Sequence, residues 1–176
     1  MKPHQLLLTL LFAALPVVLA APALADTGAT AAHILVIGGS LVITVPVSAL
    51  TLTAGPSSDS SSTVSGPLGQ VQVNDASGAG AGSSWVVNVV SSVLTPAMGS
   101  AVSADAVGYL AGTISQLGEA TVIAHDPIGL SVVIPAVTAT GITGHNSATW
   151  NPTITLALPG GSVAAAYTGT ITHSVS

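Results

Sequence analysis

Two stretches near the end of this sequence alternate between apolar and polar residues, and this alternation constrains the fold more than any other feature. The first stretch is Ser147–Pro159 and the second is Tyr167–Val175, with Gly160, Gly161 and Ser162 forming a turn signal between them. A period of two sends successive side chains to opposite faces, so both stretches predict half-buried β-strands. The predicted inward residues are Trp150, Pro152, Ile154, Leu156 and Leu158, followed by Tyr167, Ile171, His173 and Val175.

Short β-branched or apolar runs recur along the rest of the chain between turns rich in Gly, Pro and Ser. Strands spaced about 8–12 residues apart predict an all-β fold, a single Ig-like β-sandwich. Trp85–Leu94 is the most apolar run and is predicted to be central, whereas Gly141–His145 is predicted to be a turn. Ser100–Val107 is predicted to be a short helix or a loop. Gln72 and Asn74 are predicted to face outward from their strand. The other predicted strands are Ile34–Ile37, Leu41–Val45, Val47–Thr53, Val64–Asn74, Thr113–Gln116, Ala120–Ala124, Leu130–Ile134 and Val137–Thr140.

The first residues have the three parts of a secretory signal peptide. Lys2 supplies a positive start, Leu6–Ala20 is an apolar run, and Ala21–Ala25 ends in the small-x-small pattern that signal peptidase accepts. We therefore expect residues 1–25 to be removed after export by Sec, leaving residues 26–176 as one β-sandwich domain without a membrane span. Because the second alternating stretch reaches the end of the sequence, we expect no tail for a sortase signal or a membrane anchor.

The charge of the expected mature chain limits its partners. The only Lys or Arg in the whole sequence is Lys2, which lies in the expected signal peptide. Residues 26–176 therefore carry six carboxylates and no side-chain cation. Without cations the domain cannot neutralise phosphates, which argues against nucleic acid and anionic lipid as ligands. A neutral glycan or a protein surface remains possible. The absence of Cys excludes disulfides and a lipid anchor on cysteine, so apolar burial and strand pairing must stabilise the fold.

Residues that could support catalysis or metal binding are present but do not have the required spacing. Asp26–Thr27–Gly28 matches one aspartic-protease triplet, but that chemistry needs two carboxylates that share a proton. His125–Asp126 is the only adjacent pair of a histidine and an acid, and no pair of histidines has the spacing of a zinc site. We therefore expect a non-enzymatic protein with no cofactor and no metal.

Two segments resemble the signatures of the WxL cell-surface domain. Val71–Asp75, a Gly-rich connector and Trp85–Val89 are similar to the first signature, in which a V-x-V-x-D strand leads to a G-W-x-L strand. Tyr167–Val175 is similar to the second signature, Y-x-x-x-[LI]-T-W-x-L. The sequence departs from these patterns in having Ser77 for Arg, Ser84 for Gly, Val87 for Leu, His173 for Trp and Val175 for Leu.

The resemblance implies an actinobacterial type of secreted surface protein that attaches noncovalently to the Gram-positive cell wall, on peptidoglycan. Aromatic residues could serve either as core anchors or as platforms that stack on sugars. The candidate binding residues are Trp85, Trp150, Tyr167 and His173. The alternative function is a structural or adhesive subunit that pairs edge strands with itself or with a partner, because a Thr-rich terminal strand without Lys does not block such pairing.

Overall fold

The computed structural model describes residues 39–47, 50–54 and 61–176, and these residues form β-strands joined by turns and one 3₁₀ turn. The predicted signal peptide and the predicted strand Ile34–Ile37 lie outside the described residues. No helix in the described part is long and apolar enough to span a membrane. The strands are β1 (Leu41–Thr44), β2 (Leu50–Thr53), β3 (Ser62–Pro67), β4 (Val71–Asp75), β5 (Ser83–Ser91), β6 (Thr95–Pro96), β7 (Val107–Leu110), β8 (Ser115–Ala124), β9 (Ile134–Trp150), β10 (Thr153–Leu158), β11 (Ala166–Gly169) and β12 (Ile171–Val175).

The largest sheet is organised around the 17-residue strand β9. Its order is β1-β4-β9-β5-β12, with β8 paired to β9 as well, and every pair is antiparallel. β5 pairs with the first part of β9, through Trp85 and Ala139, and β4 pairs with the last part, through Val71 and Trp150. The Val-rich β5 therefore lies between two neighbours, as the prediction of a central strand requires.

The turn predicted at Gly141–His145 is wrong, because these residues lie within β9. Gly141 and Gly144 have φ angles of +65° and +72°, which glycine adopts without the steric cost that a side chain would add. The register between β8 and β9 is irregular on the β8 side around Glu119, where Gly118 also has positive φ. A turn-like composition thus produces an irregular strand here, since the neighbouring strands continue the pairing past the glycines.

Two three-stranded sheets, β3-β10-β7 and β2-β11-β6, supply the remaining layer. Their inward side chains share one core with those of the large sheet, so the prediction of an all-β sandwich is confirmed, while its Ig-like subtype stays a prediction. The outward residues of β4, Gln72 and Asn74, are exposed as expected. Fully buried members of the core include Val71, Val73, Val87 and Val89 from the large sheet, and Ile154, Leu156, Leu158 and Tyr167 from the small ones.

The first alternating stretch keeps its predicted parity but belongs to two strands. Trp150 ends β9, and the chain passes through Asn151 and Pro152 before β10 begins in another sheet. Pro152 has no N–H for a ladder, which suits the corner. The inward residues of this stretch, Trp150, Pro152, Ile154, Leu156 and Leu158, are all buried.

The second alternating stretch is divided in the same way, at Thr170. β11 pairs with β2 and β6, whereas β12 pairs with β5 in the large sheet. Ser176 extends this last ladder, because it exchanges two backbone hydrogen bonds with Val86, of 2.9 and 3.1 Å. The prediction of paired terminal strands is confirmed, and a single polypeptide stretch serves both layers of the sandwich.

Two other segments differ in detail from the prediction. The predicted strand Leu130–Ile134 is wrong except for its last residue, because residues 131–133 form an exposed turn. Leu130 is nevertheless fully buried, and its N–H donates to the carbonyl oxygen of Ala104. The stretch Ser100–Val107, predicted as a short helix or a loop, contains a 3₁₀ turn at Ala104–Ala106 with Ser103 as its N-cap.

Candidate functional site

Three of the four predicted binding residues lie in the core. Trp85, Trp150 and Tyr167 are 2 %, 2 % and 1 % exposed, so none of them presents a ring face at the surface. The core interpretation of the two tryptophans is confirmed, and the platform interpretation is not compatible with this burial. The fourth residue, His173, is half-buried and is the only one of the four with appreciable accessible surface.

Trp85 is held by a buried chain of polar side chains. Its indole N–H donates to Oδ1 of Asn146 at 3.0 Å, and the Asn146 amide donates to Oδ2 of Asp75 at 3.0 Å. Oδ1 of Asp75 accepts from both the hydroxyl (2.6 Å) and the backbone N–H (3.0 Å) of Ser77. This chain of hydrogen bonds connects Asp75 to Trp85, two residues that the sequence shows only as separate motif positions.

The ionisation of Asp75 is consistent with this network. Burial is the largest single influence and raises the pKa, but the hydrogen bonds from Ser77 and Asn146 together outweigh it. The pKa of Asp75 is therefore lowered from its ordinary value. Asp75 is a buried carboxylate with satisfied oxygens, so its role in this structure is to hold Asn146 and, through it, Trp85.

A second network joins side chains from three strands of both layers. The indole N–H of Trp150 donates to the Tyr109 hydroxyl at 2.7 Å, and Nε2 of His173 lies 3.2 Å from the same oxygen. The rings of Tyr109 and His173 meet edge to face, with centroids 5.6 Å apart. β9, β7 and β12 each contribute one residue, so the fold brings together two of the predicted binding residues, Trp150 and His173.

The protonation of this network follows from its geometry and burial. Burial lowers the pKa of His173 to about 4, and burial likewise raises the pKa of Tyr109. Both side chains are therefore neutral at pH 7. The Tyr109 oxygen accepts the Trp150 proton, and its own proton is satisfied only if it donates to Nε2 of His173. This arrangement places the imidazole proton on Nδ1, which is buried and has no hydrogen-bond partner.

The His173 ring also lines a cavity of about 220 Å³, which we call the His173 cavity. Its walls come from the segment after β1, from the start of β2, from Leu68 and from the start of β12. Most of the lining residues have aliphatic side chains, with one hydroxyl residue at Thr170, but polar atoms contribute about half of the accessible wall. The remaining lining residues are Val45, Pro46, Val47, Leu50 and Ile171. Because His173 is the one predicted binding residue with appreciable accessible surface and it lines this cavity, we take the cavity as the candidate binding site among the described residues.

A second cleft contains His125 and Thr138, whose Nε2 and Oγ1 atoms lie 3.0 Å apart, together with Pro127, Ile134 and Pro135. The neighbouring acid, Asp126, does not orient this histidine, because its Oδ1 accepts the backbone N–H of Ala111 at 2.8 Å. The cleft therefore lacks the third member of a hydrolytic triad. Among the residues described by the structure, no three His, Asp or Glu side chains cluster as metal ligands would.

Sequence reasoning missed two residues of these networks, Tyr109 and Asn146. Tyr109 lies in Val107–Leu110, within a stretch of ambiguous pattern, and Asn146 follows the segment predicted as a turn. The available signal for Tyr109 was its rarity, since the chain has only two tyrosines. For Asn146 the sequence offers no comparable signal, because its partners are 61 and 71 residues away.

The lowered pKa of His173 predicts that the domain loses stability as the pH falls from about 6.5 toward 4. The unfolded imidazole has a pKa of about 6.5 and binds a proton before the folded one does, so its contribution to stability is complete above pH 6.5 and declines toward pH 4. Between pH 7 and pH 4.5 we expect the free energy of unfolding, measured with urea, to fall by roughly 2 kcal/mol.

The matched control is His173→Phe, which keeps an aromatic ring but removes the titrating group. The same pH series on this variant should lose most of the fall between pH 7 and pH 4.5. An equal fall in both proteins would assign the effect to other groups.

Comparisons with known proteins give no match to this chain: no family model, no curated protein and no solved structure is similar to it.

Proposed function

We propose that this protein is a secreted, non-enzymatic surface domain that attaches noncovalently to the cell wall, with peptidoglycan as the ligand. The His173 cavity is the proposed contact site. Attachment relies on uncharged hydrogen bonds and apolar contacts rather than on ion pairs, and no reaction is assigned to the site.

The observation that carries this proposal is the sparsely charged, hydroxyl-rich surface, which has no Lys or Arg among the described residues. The described residues include no Lys or Arg and four acids, of which Asp75 is buried. The outward positions of the strands are instead occupied largely by hydroxyl residues, among them Thr121, Thr140, Thr143 and Thr172, all exposed. Such a surface offers donors and acceptors to sugar hydroxyls and amides, while it gives a polyanion no counter-charge.

The two motif regions support the proposal indirectly. The residues that resemble the WxL signatures stabilise the domain from inside: Asp75 and Trp85 share one network, and His173 takes part in the other. The signature positions therefore build a scaffold, and the His173 cavity lies where this scaffold meets the surface. A ligand is expected to contact that cavity rather than the buried indole rings.

Binding to purified cell walls tests the proposal. Protein comprising residues 26–176 should sediment with the walls, remain bound at about 0.5 M salt and be released by denaturant, because the attachment has no cation to be screened. Sedimentation assays with and without salt provide the measurement, with the thermally unfolded protein as the control. Loss of binding at about 0.5 M salt, or resistance to boiling in detergent, would contradict uncharged noncovalent attachment.

A second candidate function, assembly through strand pairing, is favoured by the position of β8. Within the described residues, β8 pairs only with β9, and its last part carries Ile123, which is 47 % exposed. The irregularity at Gly118 and the charge of Glu119 interrupt the same edge, which reduces its capacity to pair with another chain. Light scattering over a range of protein concentrations distinguishes this function, since an assembling subunit increases in mass with concentration.

A further inference from the structure

The outer edge of β8 has a regular part, residues 119–125, which we call the β8 edge. Exposed and half-buried side chains alternate along it, and the half-buried ones, Ala120, Val122 and Ala124, pack against the core. On one side β8 pairs with β9, and the described residues supply no strand on its other side. The β8 edge therefore offers a ladder position to one further strand.

The direction of the backbone groups shows which residues would bond to that strand. The N–H of His125 donates to the carbonyl oxygen of Ala136 on β9 at 2.9 Å, so the backbone of His125 faces β9. Because these groups alternate in direction along an antiparallel strand, those of Ala124 and of every second residue before it face away from β9. The carbonyl oxygen of Ala120 agrees with this direction, since it accepts the side-chain amide of Gln116, a residue of β8 itself, at 3.0 Å.

A second copy of β8 matches this edge when Val122 lies opposite Val122 of the other chain. Ala120 then lies opposite Ala124, and two chains related by a two-fold axis form about six backbone hydrogen bonds. This is the only antiparallel register that pairs the three outward residues with one another. A shift in either direction pairs one of them with Gly118 or Asp126, and both of these residues have positive φ.

The same register gives the one charged side chain of the β8 edge a suitable partner. Glu119 is the only Asp, Glu, Lys or Arg in residues 119–125, and it lies opposite His125 of the second copy. A carboxylate and an imidazole form a hydrogen bond across a ladder, whereas two carboxylates would repel. On the same face Thr121 lies opposite Ile123, which is 47 % exposed in the single chain. The charge that obstructs other strands is therefore matched by a second copy.

An exposed leucine and an apolar cleft lie just beyond the two ends of the β8 edge. Leu117 is 75 % exposed. The cleft beside His125, which includes Pro127, has a volume of about 330 Å³ and mostly apolar walls. Continuing the register past Glu119 brings Leu117 of one copy toward Pro127 of the other, so the pairing covers apolar surface at both ends.

We propose that the domain forms a two-fold dimer through the β8 edge, with Val122 at the axis and Glu119 opposite His125 of the second copy. This inference goes beyond the proposed function and does not depend on it. A two-fold pair uses the same surface on both chains, so assembly stops at two. A strand pair of this length buries less than a standard interface of about 1,600 Å², so we expect the dimer only at high protein concentration.

Analytical ultracentrifugation of residues 26–176 tests the dimer. The mass should rise from one chain at about 10 μM to two chains at about 1 mM and rise no further. A mass of one chain at the higher concentration overturns the proposal, and protection of the β8 amides from hydrogen exchange in that monomer would show that another part of the chain covers the edge. A mass above two chains overturns the closed pair in favour of open assembly.

Charge variants test the register. His125→Glu sets two acids opposite each other at both ends of the β8 edge and should weaken the dimer at least about tenfold. Adding Glu119→Lys to the same chain restores opposite charges and should recover the dimer. The control, Thr172→Glu, adds the same charge at an exposed position of β12, which does not pair with β8. Equal dimerisation of the folded His125→Glu and Thr172→Glu proteins, or no recovery in the double variant, overturns the register.

Disulfide trapping gives a second measurement, because the natural sequence contains no cysteine. Thr121 and Ile123 of the two copies should lie about 4.5 Å apart between Cα atoms, within reach of a disulfide. A mixture of Thr121→Cys and Ile123→Cys proteins should therefore cross-link faster than either protein alone, and equal rates would contradict the register. A monomer that sediments with cell walls overturns the dimer alone, whereas a dimer that does not sediment overturns only wall attachment.

Discussion

Deleting residues from Tyr167 onward is expected to leave a chain that does not fold. β11 is the shared partner of β2 and β6, so its loss leaves those two strands without any ladder among the described residues. Loss of β12 exposes one edge of the Val-rich β5. Tyr167 is 1 % exposed, and burial of such a side chain contributes roughly 1.5–3 kcal/mol, as does burial of Ile171 or Val175 in proportion to its buried area.

The summed loss, with the ladder hydrogen bonds, approaches the whole stability of a typical domain, about 5–15 kcal/mol. Circular dichroism and the dispersion of NMR amide signals measure the effect. Thr172→Ala in the full chain serves as the control, because this outward side chain of β12 is exposed and its loss should change the melting temperature little. A truncated protein with the melting temperature of the full chain would show that β11 and β12 are dispensable.

Asn146→Leu is expected to destabilise the domain by about 3–5 kcal/mol, although the substitution keeps the number and branching of the side-chain heavy atoms. The change leaves the indole N–H of Trp85 and Oδ2 of Asp75 buried without this partner. The second loss is the more serious, since a buried carboxylate depends on its hydrogen bonds to remain ionised. Urea unfolding at pH 7 gives the free energy.

Asn74→Leu is the matched control, because it makes the same replacement on the adjoining strand β4 at an exposed position. It should cost little. A double-mutant cycle adds a sharper test: Trp85→Phe should cost less in the Asn146→Leu background than alone, because the indole N–H is already unpaired there. Equal losses for Asn146→Leu and Asn74→Leu would rule out the buried network as a source of stability.

The inward and outward faces of the strands could be predicted from the sequence, because the alternation of side chains along a strand depends only on neighbouring residues. The alternation around Trp150 and Tyr167 correctly predicted which residues point inward, although each stretch divides between two sheets. The sequence did not indicate that each stretch changes sheet, at Pro152 and at Thr170 respectively. The alternation of inward and outward residues continues unbroken across both positions. Gly141 and Gly144 led to the wrong prediction of a turn. Both lie within the long strand β9, which is held in place by pairing with its neighbours.

The candidate site was less predictable than the fold for a related reason. His173 could be selected as the residue that departs from an aromatic pattern, and it lines a cavity, but its role in binding stays a prediction. Tyr109 is 64 residues from His173 and 41 from Trp150, so their meeting depends on how the two layers pack. Neither the hydrogen bonds nor the cavity follows from spacing along the chain, because no local pattern specifies which strand ends come together.

The central position of β9 has a consequence for how the chain reaches its folded state. β4 and β5 follow one another in sequence but are joined in the large sheet through β9, which begins at Ile134. A chain emerging from its N-terminal end therefore holds two apolar strands that lack their common neighbour until most of the sequence has appeared. Pairings across such separations form slowly. The topology therefore makes the large sheet form late, since β4 and β5 share no sheet partner until β9 is available.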